Sequence, residues 1–196
     1  MIWGIRLKEV SAVKDLVVVG QVSRLLEKHY SKQFAQVWDL GINLALRITD
    51  LLNLKFEDEV SQHGERYIVT RERKTGKMAM IKLNHKACHI IDEIRSEFPS
   101  HVYIFQSYRS ARVKNKPPAP IDRSNVRRAF AAIGEIVDVH LGTHSMRKTR
   151  GYHMYQQTGK IEPVQKMLRH SSPAVTLRYI GIEQVDIDRS FDELIL

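Results

Sequence analysis

The side chains best suited to chemistry lie in the last third of the chain, between His144 and Tyr179. His144 and Arg147 are three residues apart near the start of an expected helix, so they share one face and can bind one anion together. His170 follows, and Tyr179 stands nine residues after it, in a short helix expected behind Pro173. A tyrosine acts as a nucleophile where neighbouring groups stabilise its phenolate. The pattern therefore predicts an anion site with a tyrosine beside it.

Hydrophobic periodicity predicts a mainly helical chain with one small antiparallel sheet. Good helix formers occupy residues 148–157 and 163–168, and these two segments must position the groups named above. Further helices are expected over residues 21–29, 33–46, 84–98 and 121–137. Asn84 and either Asp122 or Ser124 are suited to cap the last two helices at their N-termini.

A β-hairpin is expected in the middle of the chain, with strands over residues 67–71 and 78–83. The text between them is K-T-G-K, and Gly76 favours a tight hairpin turn. Lys74 and Lys77 are either solvated turn lysines or cations that a flexible hairpin delivers into a groove of DNA.

Charge is the second feature that bears on function. The chain has 31 lysines and arginines against 22 acidic residues, a net charge of +9. That balance fits a nucleic-acid partner, although an ordinary basic protein has it too. A short buried strand is expected over residues 102–105, followed by a long cationic loop and a helix with one basic face. Candidate DNA-phosphate contacts, each of which could instead be a solvated side chain, are Lys77 of the hairpin and, in these later segments, Arg109, Arg112, Lys114, Lys116, Arg123, Arg127 and Arg128.

Several classes of protein are disfavoured by the sequence. The single cysteine, Cys88, excludes an intrachain disulfide and suits a reducing cytosol, so a cytoplasmic location is expected. Apolar runs are too short to span a membrane, and the start of the chain has no secretion pattern. His85, Cys88 and His89 lie on one helical face, but they lack partners at zinc-site spacing, so no metal is expected.

The segment from His144 to Tyr179 resembles the C-terminal signature of the tyrosine recombinases, also called the phage integrase family. That signature is H-x-x-R, then L-G-H or a near variant, then a tyrosine nine positions later. Upstream, A-L-R-I-T-D-L-L-N-L is similar to the family text G-L-R-x-x-E-L-L-x-L. The chain departs from the family at three positions: Ala45 and Arg169 replace glycine, and Asp50 replaces glutamate.

The resemblance implies a set of catalytic residues for cutting a DNA phosphodiester. These are Arg47, Lys74, His144, Arg147, His170 and the nucleophile Tyr179. The two arginines would hold the non-bridging phosphate oxygens, and His144 would accept the phenol proton or hydrogen-bond the phosphate. His170 would donate to a phosphate oxygen, and Lys74, with Lys77 as runner-up, would protonate the leaving 5′ oxygen. No metal or nucleotide cofactor is required. Taken without the resemblance, Arg47 is better explained by a salt bridge to Asp50.

The resemblance covers residues 21–179 and implies the mixed helical and β catalytic domain shared by tyrosine recombinases and type IB topoisomerases. One catalytic domain is expected over residues 1–196, with an uncertain segment at 1–19 and a tail at 180–196. A separate N-terminal DNA-clamping domain is not expected, so the chain is similar to short members such as the fimbrial phase-switch recombinases, or is a catalytic fragment. The tail carries an apolar stripe formed by Ile187, Phe191, Leu194 and Ile195.

The expected partners are double-stranded DNA and further copies of the chain, assembled as a tetramer on the DNA, with DNA-bending proteins as accessories. The apolar stripe of the tail is expected to dock on a neighbouring protomer there, although it could fold back on its own domain. The expected function is site-specific recombination through a 3′-phosphotyrosyl intermediate. The alternatives are a nicking-closing enzyme similar to topoisomerase IB, a DNA-binding regulator on a decayed recombinase fold, and a non-enzymatic helical module.

Overall fold

The computed structural model describes residues 9–107 and 116–182, and in these residues helices dominate. The helices are α1 (Leu16–His29), α2 (Lys32–Leu44), α3 (Ile48–Leu52), α4 (His85–Glu97), α5 (Arg123–Ile136), α6 (Ser145–Thr158), α7 (Ile161–Leu168) and α8 (Pro173–Ile180). The strands are β1 (Glu59–Gln62), β2 (Glu65–Arg71) and β3 (Met78–Lys82). The predicted fold class, mainly helical with a small antiparallel sheet, is confirmed.

Side-chain caps account for where several helices begin. The Asn84 side chain accepts a hydrogen bond from the Ala87 N–H, and Asp122 caps α5 in the same way. Ser172 caps α8, the helix that carries Tyr179. Each cap satisfies an N–H group that has no partner inside the helix. The predicted caps Asn84 and Asp122 are therefore confirmed.

The main core lies where α1, α2, α5 and α6 meet around Trp38. The Trp38 ring meets Phe130 edge-on with centroids 5.4 Å apart, and its N–H donates to the Val19 carbonyl at 3.2 Å. A β-carbon on Gly41 of α2 would lie 2.1 Å from the Met146 sulfur of α6. This close approach brings the C-terminal end of α2 against the first turns of α6.

A second, smaller apolar cluster holds α6, α7 and α8 together. Val164, Leu168 and Ile180 are its fully buried members. A β-carbon on Gly151 of α6 would lie 2.7 Å from the Ile180 methyl group Cγ2, so glycine permits the close contact with α8. This cluster sets the position of α8 relative to α6.

The sheet has the order β1-β2-β3, and both strand pairs are antiparallel. The predicted hairpin is confirmed, with Val69 opposite Met80. Its turn, residues 72–77, is called the lysine turn below. The Glu72 N–H donates to the Lys77 carbonyl at 3.0 Å, and the Gly76 N–H donates to the Glu72 carbonyl at 2.8 Å. Gly76 has φ 66°, a left-handed conformation that glycine adopts at little cost.

Several predicted boundaries were wrong. Helix α1 begins five residues before the predicted start, because Asp15 caps it and Val18 and Val19 pack on the core. Helix α2 ends at Leu44 rather than residue 46, because Ala45 is left-handed with φ 52°. Residues 102–105 form no strand; Tyr103 makes one isolated bridge to Lys55.

Other predictions lie outside the described residues or were missed. The tail stripe and the loop cations Arg109, Arg112 and Lys114 fall in ranges that the structure does not describe. Strand β1 was missed because its text, E-V-S-Q, is mostly polar and exposed. Along residues 9–107 and 116–182, no helix has the length and apolar character needed to cross a membrane.

Candidate active site

Arg147 is a buried cation in the first turn of α6, only 3% exposed. Its Nη1 donates to the Ala45 carbonyl at 2.8 Å, and its Nη2 donates to the Leu168 carbonyl. Both carbonyls lie at the C-terminal ends of helices, α2 and α7, where carbonyls lack helical partners and the helix dipole is negative. Two helix ends therefore hold this guanidinium in place.

Tyr179 lies beside two histidines. Its hydroxyl is 3.2 Å from His144 Nδ1, and its ring meets the His170 ring edge-on with centroids 4.8 Å apart. Burial raises the pKa of the Tyr179 phenol above its ordinary value of 10.0, and the charges of Arg147 and Arg47 only partly oppose that rise. The phenol is therefore protonated at neutral pH and needs a base before it can attack.

His144 is suited to be that base. Its ring is open to solvent on one side, and the protein on the other side removes part of its hydration. This loss of hydration, followed by the charges of Arg123 and Arg147, lowers the pKa of His144 below its ordinary value of 6.5. The imidazole is therefore neutral at pH 7 and can accept a proton.

His170 comes directly after the end of α7. Its N–H donates to the Gln165 carbonyl at 3.1 Å, and its Nδ1 lies 3.3 Å from the Thr176 hydroxyl. Burial, followed by the charges of Arg147 and Arg47, lowers the pKa of His170. The ring is thus held between α7 and α8 as a neutral group.

Arg47 precedes α3, and its electrostatic effect reaches both His170 and Tyr179. Its Nη1 donates to Glu72 Oε2 at 2.8 Å, rather than to Asp50. The Asp50 carboxylate instead accepts from the Arg73 N–H at 3.0 Å. The salt bridge to Asp50 that the sequence offered as an alternative for Arg47 was therefore wrong, and Glu72 was missed.

The lysine turn is the exposed part of this region. Lys74 and Lys77 are both solvent-exposed. The ammonium groups of these two lysines make no hydrogen bond or ion pair with any described residue. The structure therefore places Lys74 as an exposed side chain on a turn whose backbone is hydrogen-bonded to Asp50, three residues after Arg47.

Only some of the basic residues predicted to contact DNA lie near His144 and Tyr179. Arg123 begins α5, and its charge is among those that lower the pKa of His144. Arg127 and Arg128 are exposed on the same helix, and Arg128 lies near His29 and Tyr30, apart from Tyr179. Lys116 is exposed beside a different cavity.

Lys148, which sequence reasoning missed, is nearly buried beside the candidate nucleophile. Its ammonium group lies 5.1 Å from the centre of the Tyr179 ring and pairs with the Glu9 carboxylate at 2.7 Å. The hydrogen bond from Lys148 lowers the pKa of Glu9. The only signal in the sequence was its place directly after Arg147.

Glu9 belongs to a segment, residues 9–13, that we call the N-terminal strap. The Ser11 N–H donates to the His140 carbonyl at 2.9 Å, and the Val13 N–H donates to the Thr149 hydroxyl at 2.9 Å. The strap thus crosses the start of α6 next to Tyr179.

Together these residues can bind a phosphodiester and attack it. Arg47 and Arg147 supply positive charge near the Tyr179 hydroxyl, and His144 supplies a neutral base within hydrogen-bonding distance of it. Guanidinium groups stabilise the added negative charge of a phosphoryl-transfer transition state. In the described residues no group of three or more His, Cys, Asp and Glu side chains is arranged to hold a metal ion.

Comparison with known proteins gives a family match over most of the chain. The profile of the phage integrase family matches residues 20–184. The probable integrase/recombinase YoeC of Bacillus subtilis (strain 168) is 34% identical over 176 residues, which cover 89% of this chain and 91% of that protein.

Solved structures share the fold at lower identity. XerH recombinase bound to its difH substrate has a TM-score of 0.66 at 16% identity, covering 97% of this chain and 56% of that one. XerA recombinase has a TM-score of 0.69 at 15% identity, covering 95% of this chain and 64% of that one. The lambda integrase catalytic core has a TM-score of 0.64 at 17% identity, covering 83% of this chain and 92% of that one. This chain thus spans less than two thirds of XerH and XerA.

Proposed function

The chain belongs to the phage integrase family, and on that premise we propose that it is a site-specific DNA recombinase that cuts and rejoins DNA through a covalent tyrosine intermediate. One observation supports this most: the Tyr179 hydroxyl lies 3.2 Å from His144 Nδ1, in the field of two arginines. A nucleophile within reach of its base, next to cations that bind phosphate, is what phosphoryl transfer requires.

In the proposed reaction the Tyr179 oxygen attacks the phosphorus of a DNA phosphodiester. The phenol proton passes to His144, and the bond from phosphorus to the 5′ oxygen breaks as the bond to tyrosine forms. Lys74 gives a proton to the departing 5′ oxygen, so acid and base are separate groups. Attack of a 5′ hydroxyl from a second strand on the phosphotyrosyl bond then reverses these steps and joins the strands.

Arg47 and Arg147 hold the non-bridging oxygens in this proposal, and His170 donates a hydrogen bond to one of them. Because carbonyls already occupy both terminal nitrogens of Arg147, its remaining N–H groups and its charge would act on the phosphate. Arg123, at the N-terminal end of α5, is the basic residue of that helix best placed to contact the adjoining DNA backbone.

Double-stranded DNA is the proposed substrate, and self-association on DNA is the proposed state for strand exchange. Lambda integrase, which has the same fold, is described as a dimer bound to a core site and as a tetramer bound to a Holliday junction. For this chain we propose a tetramer in which the tail of one protomer docks on its neighbour. We further propose that the described residues form one catalytic domain.

The test is covalent capture on DNA. A pool of nicked duplexes with randomised sequence is incubated with the chain, and protein-linked DNA is recovered and sequenced. We expect peptide mapping of the adduct to place the DNA on Tyr179, and Tyr179→Phe to bind the captured duplex without forming an adduct. Tyr152→Phe and Tyr155→Phe are the matched controls on α6. An adduct on either control residue, or no adduct from any duplex, would contradict the proposal.

A further inference from the structure

Glu72 is a buried carboxylate at the first position of the lysine turn, with 2% of its side chain exposed. One oxygen, Oε2, accepts hydrogen bonds from Arg47 Nη1 at 2.8 Å and from the Thr75 hydroxyl at 2.8 Å, and it lies 3.1 Å from Arg169 Nη1. Burial raises the pKa of Glu72, but the hydrogen bonds from Thr75 and Arg47 outweigh it and lower the pKa overall. Glu72 therefore remains an anion with cations on two sides.

Arg169 reaches this carboxylate from the end of α7, directly before His170. It ends α7 in a left-handed conformation, with φ 55° and ψ 43°. A side chain makes that conformation costly, and glycine would avoid the cost. Its Nη2 donates to the Met78 carbonyl at 2.9 Å, at the first residue of β3. One side chain thus joins the backbone before His170 to the first residue of the lysine turn and to the residue that follows the turn.

The turn is also held by a second buried carboxylate. Asp50, in α3, accepts from the Arg73 N–H at 3.0 Å and is 4% exposed. Arg73 Nη2 also donates to Asn53 Oδ1 at 3.0 Å. The backbone on either side of Lys74 is therefore fixed, while the Lys74 side chain extends into solvent.

We propose that Glu72 and Arg169 are positioning residues that fix the lysine turn relative to His170, so that Lys74 reaches the leaving oxygen of the DNA. The inference rests on the proposed function. Arg169 connects the end of α7 to the hairpin, and the Glu72 carboxylate contacts both Arg169 and Arg47. A shift of about 1 Å in a catalytic group costs on the order of 100-fold in rate. The rate gained by positioning Lys74 can therefore offset the cost of the left-handed conformation at Arg169.

The test uses the full chain and the duplex captured by it, made with an ordinary phosphodiester or with a 5′-bridging sulfur at the scissile position. Sulfur is a good leaving group that needs little protonation. Arg169→Gly is expected to slow adduct formation on the ordinary duplex by about 10- to 100-fold and to recover on the sulfur duplex. Arg169→Lys, which keeps the charge, should recover part of the rate on the ordinary duplex.

Glu72→Gln should show a larger defect that sulfur relieves only in part, because Arg47 also loses its anionic partner. Lys166→Ala is the matched control, since it removes an exposed positive charge from the same helix as Arg169. It should leave both rates unchanged.

Hydrogen exchange provides a measurement that needs no DNA. In Arg169→Gly, the amides of Glu72 and Gly76 should exchange faster, because the turn loses the Arg169 contacts to the Glu72 carboxylate and the Met78 carbonyl. Unchanged exchange would overturn the proposal, as would an equal loss of rate on the two duplexes. If the unmodified chain forms no adduct on any duplex, the proposed function fails, and the exchange experiment still decides whether the pair holds the turn.

Discussion

The two halves of the candidate site are built in opposite ways. The helical half comprises the starts and ends of α6, α7 and α8. Its functional groups are hydrogen-bonded to their neighbours, and all but the exposed His144 are buried or half-buried. The hairpin half is the lysine turn, where the backbone is bonded but Lys74 is exposed. Arg147, in contrast, is 3% exposed and bonded to two helix ends.

The difference separates two tasks of the proposed reaction. Groups that stabilise charge on the phosphate work best when fixed in advance, because they then need no reorganisation as the reaction proceeds. A group that donates one proton to a leaving oxygen must instead meet a DNA strand that arrives later. We therefore expect substitutions in the helical half to change stability and activity together, and substitutions of the turn lysine to change activity alone.

Lys74→Ala tests this separation with the largest effect. General acid catalysis contributes about 100- to 10,000-fold, so adduct formation should fall by that range on an ordinary duplex. The 5′-bridging sulfur duplex should restore most of the rate, and the melting temperature should not change. Lys77→Ala is the control from the same turn. If Lys77→Ala shows the sulfur rescue and Lys74→Ala does not, the roles of the two lysines have been exchanged.

Arg147→Ala should lower both the rate of adduct formation and the stability of the fold. Loss of one transition-state donor costs about 100- to 1,000-fold in rate. The substitution also leaves the Ala45 and Leu168 carbonyls without their partner, which should cost about 1–3 kcal/mol of unfolding free energy for each buried group. Arg47→Ala is the comparison, because Glu72 retains Arg169 and Thr75 there. The free energy of unfolding is measured with denaturant. An equal loss in Arg47→Ala and Arg147→Ala would contradict the expected difference in stability between them.

Gly151→Ala probes the packing that sets α8. The new β-carbon would lie 2.7 Å from Ile180 Cγ2, one residue after Tyr179, and such overpacking costs about 1–3 kcal/mol. We expect a lower melting temperature and slower adduct formation on both duplexes. Gly64→Ala is the control, because its φ of 76° makes alanine unfavourable in the β1-β2 turn, where no atom would be close. It should lower stability while leaving adduct formation per folded molecule unchanged.

The pH dependence should be the smallest effect near neutrality. The pKa of His144 is lowered from 6.5, so the base is already neutral at pH 7. Adduct formation on the sulfur duplex should therefore be flat from pH 7 to about 6.5 and fall only as His144 becomes protonated at lower pH. The free energy of unfolding should also fall as the pH drops below about 6.5. The folded-state pKa values of His144 and His170 are lowered, so the unfolded chain binds protons at these two residues more readily. A rate that rises with acidity would contradict the assignment of His144 as base.

Local patterns in the sequence were enough to predict much of this arrangement. His144, Arg147, His170 and Tyr179 all lie within residues 144–179 at spacings that match a family signature, and the helices between them follow from composition and caps. The partners that fix those residues are long-range, and no periodicity indicates them. Arg147 bonds to a carbonyl 102 positions away, and Lys148 pairs with Glu9 at a separation of 139.

Arg169 shows the same limit in a single residue. Its place before His170 marks a departure from the glycine that is usual in the family. The structure has the left-handed conformation with arginine in it, because Glu72 and the Met78 carbonyl engage the side chain. Those two groups lie in another part of the sequence, so only the folded chain connects them to Arg169.

The N-terminal strap has a practical consequence for protein engineering. Because residues 9–13 cross α6 and Glu9 joins Val175, Arg178 and Tyr179 around a shallow cavity, a label attached at residue 9 would lie beside the candidate nucleophile. A fluorescent dye attached near residue 9 would, for the same reason, sense the arrival of a duplex directly.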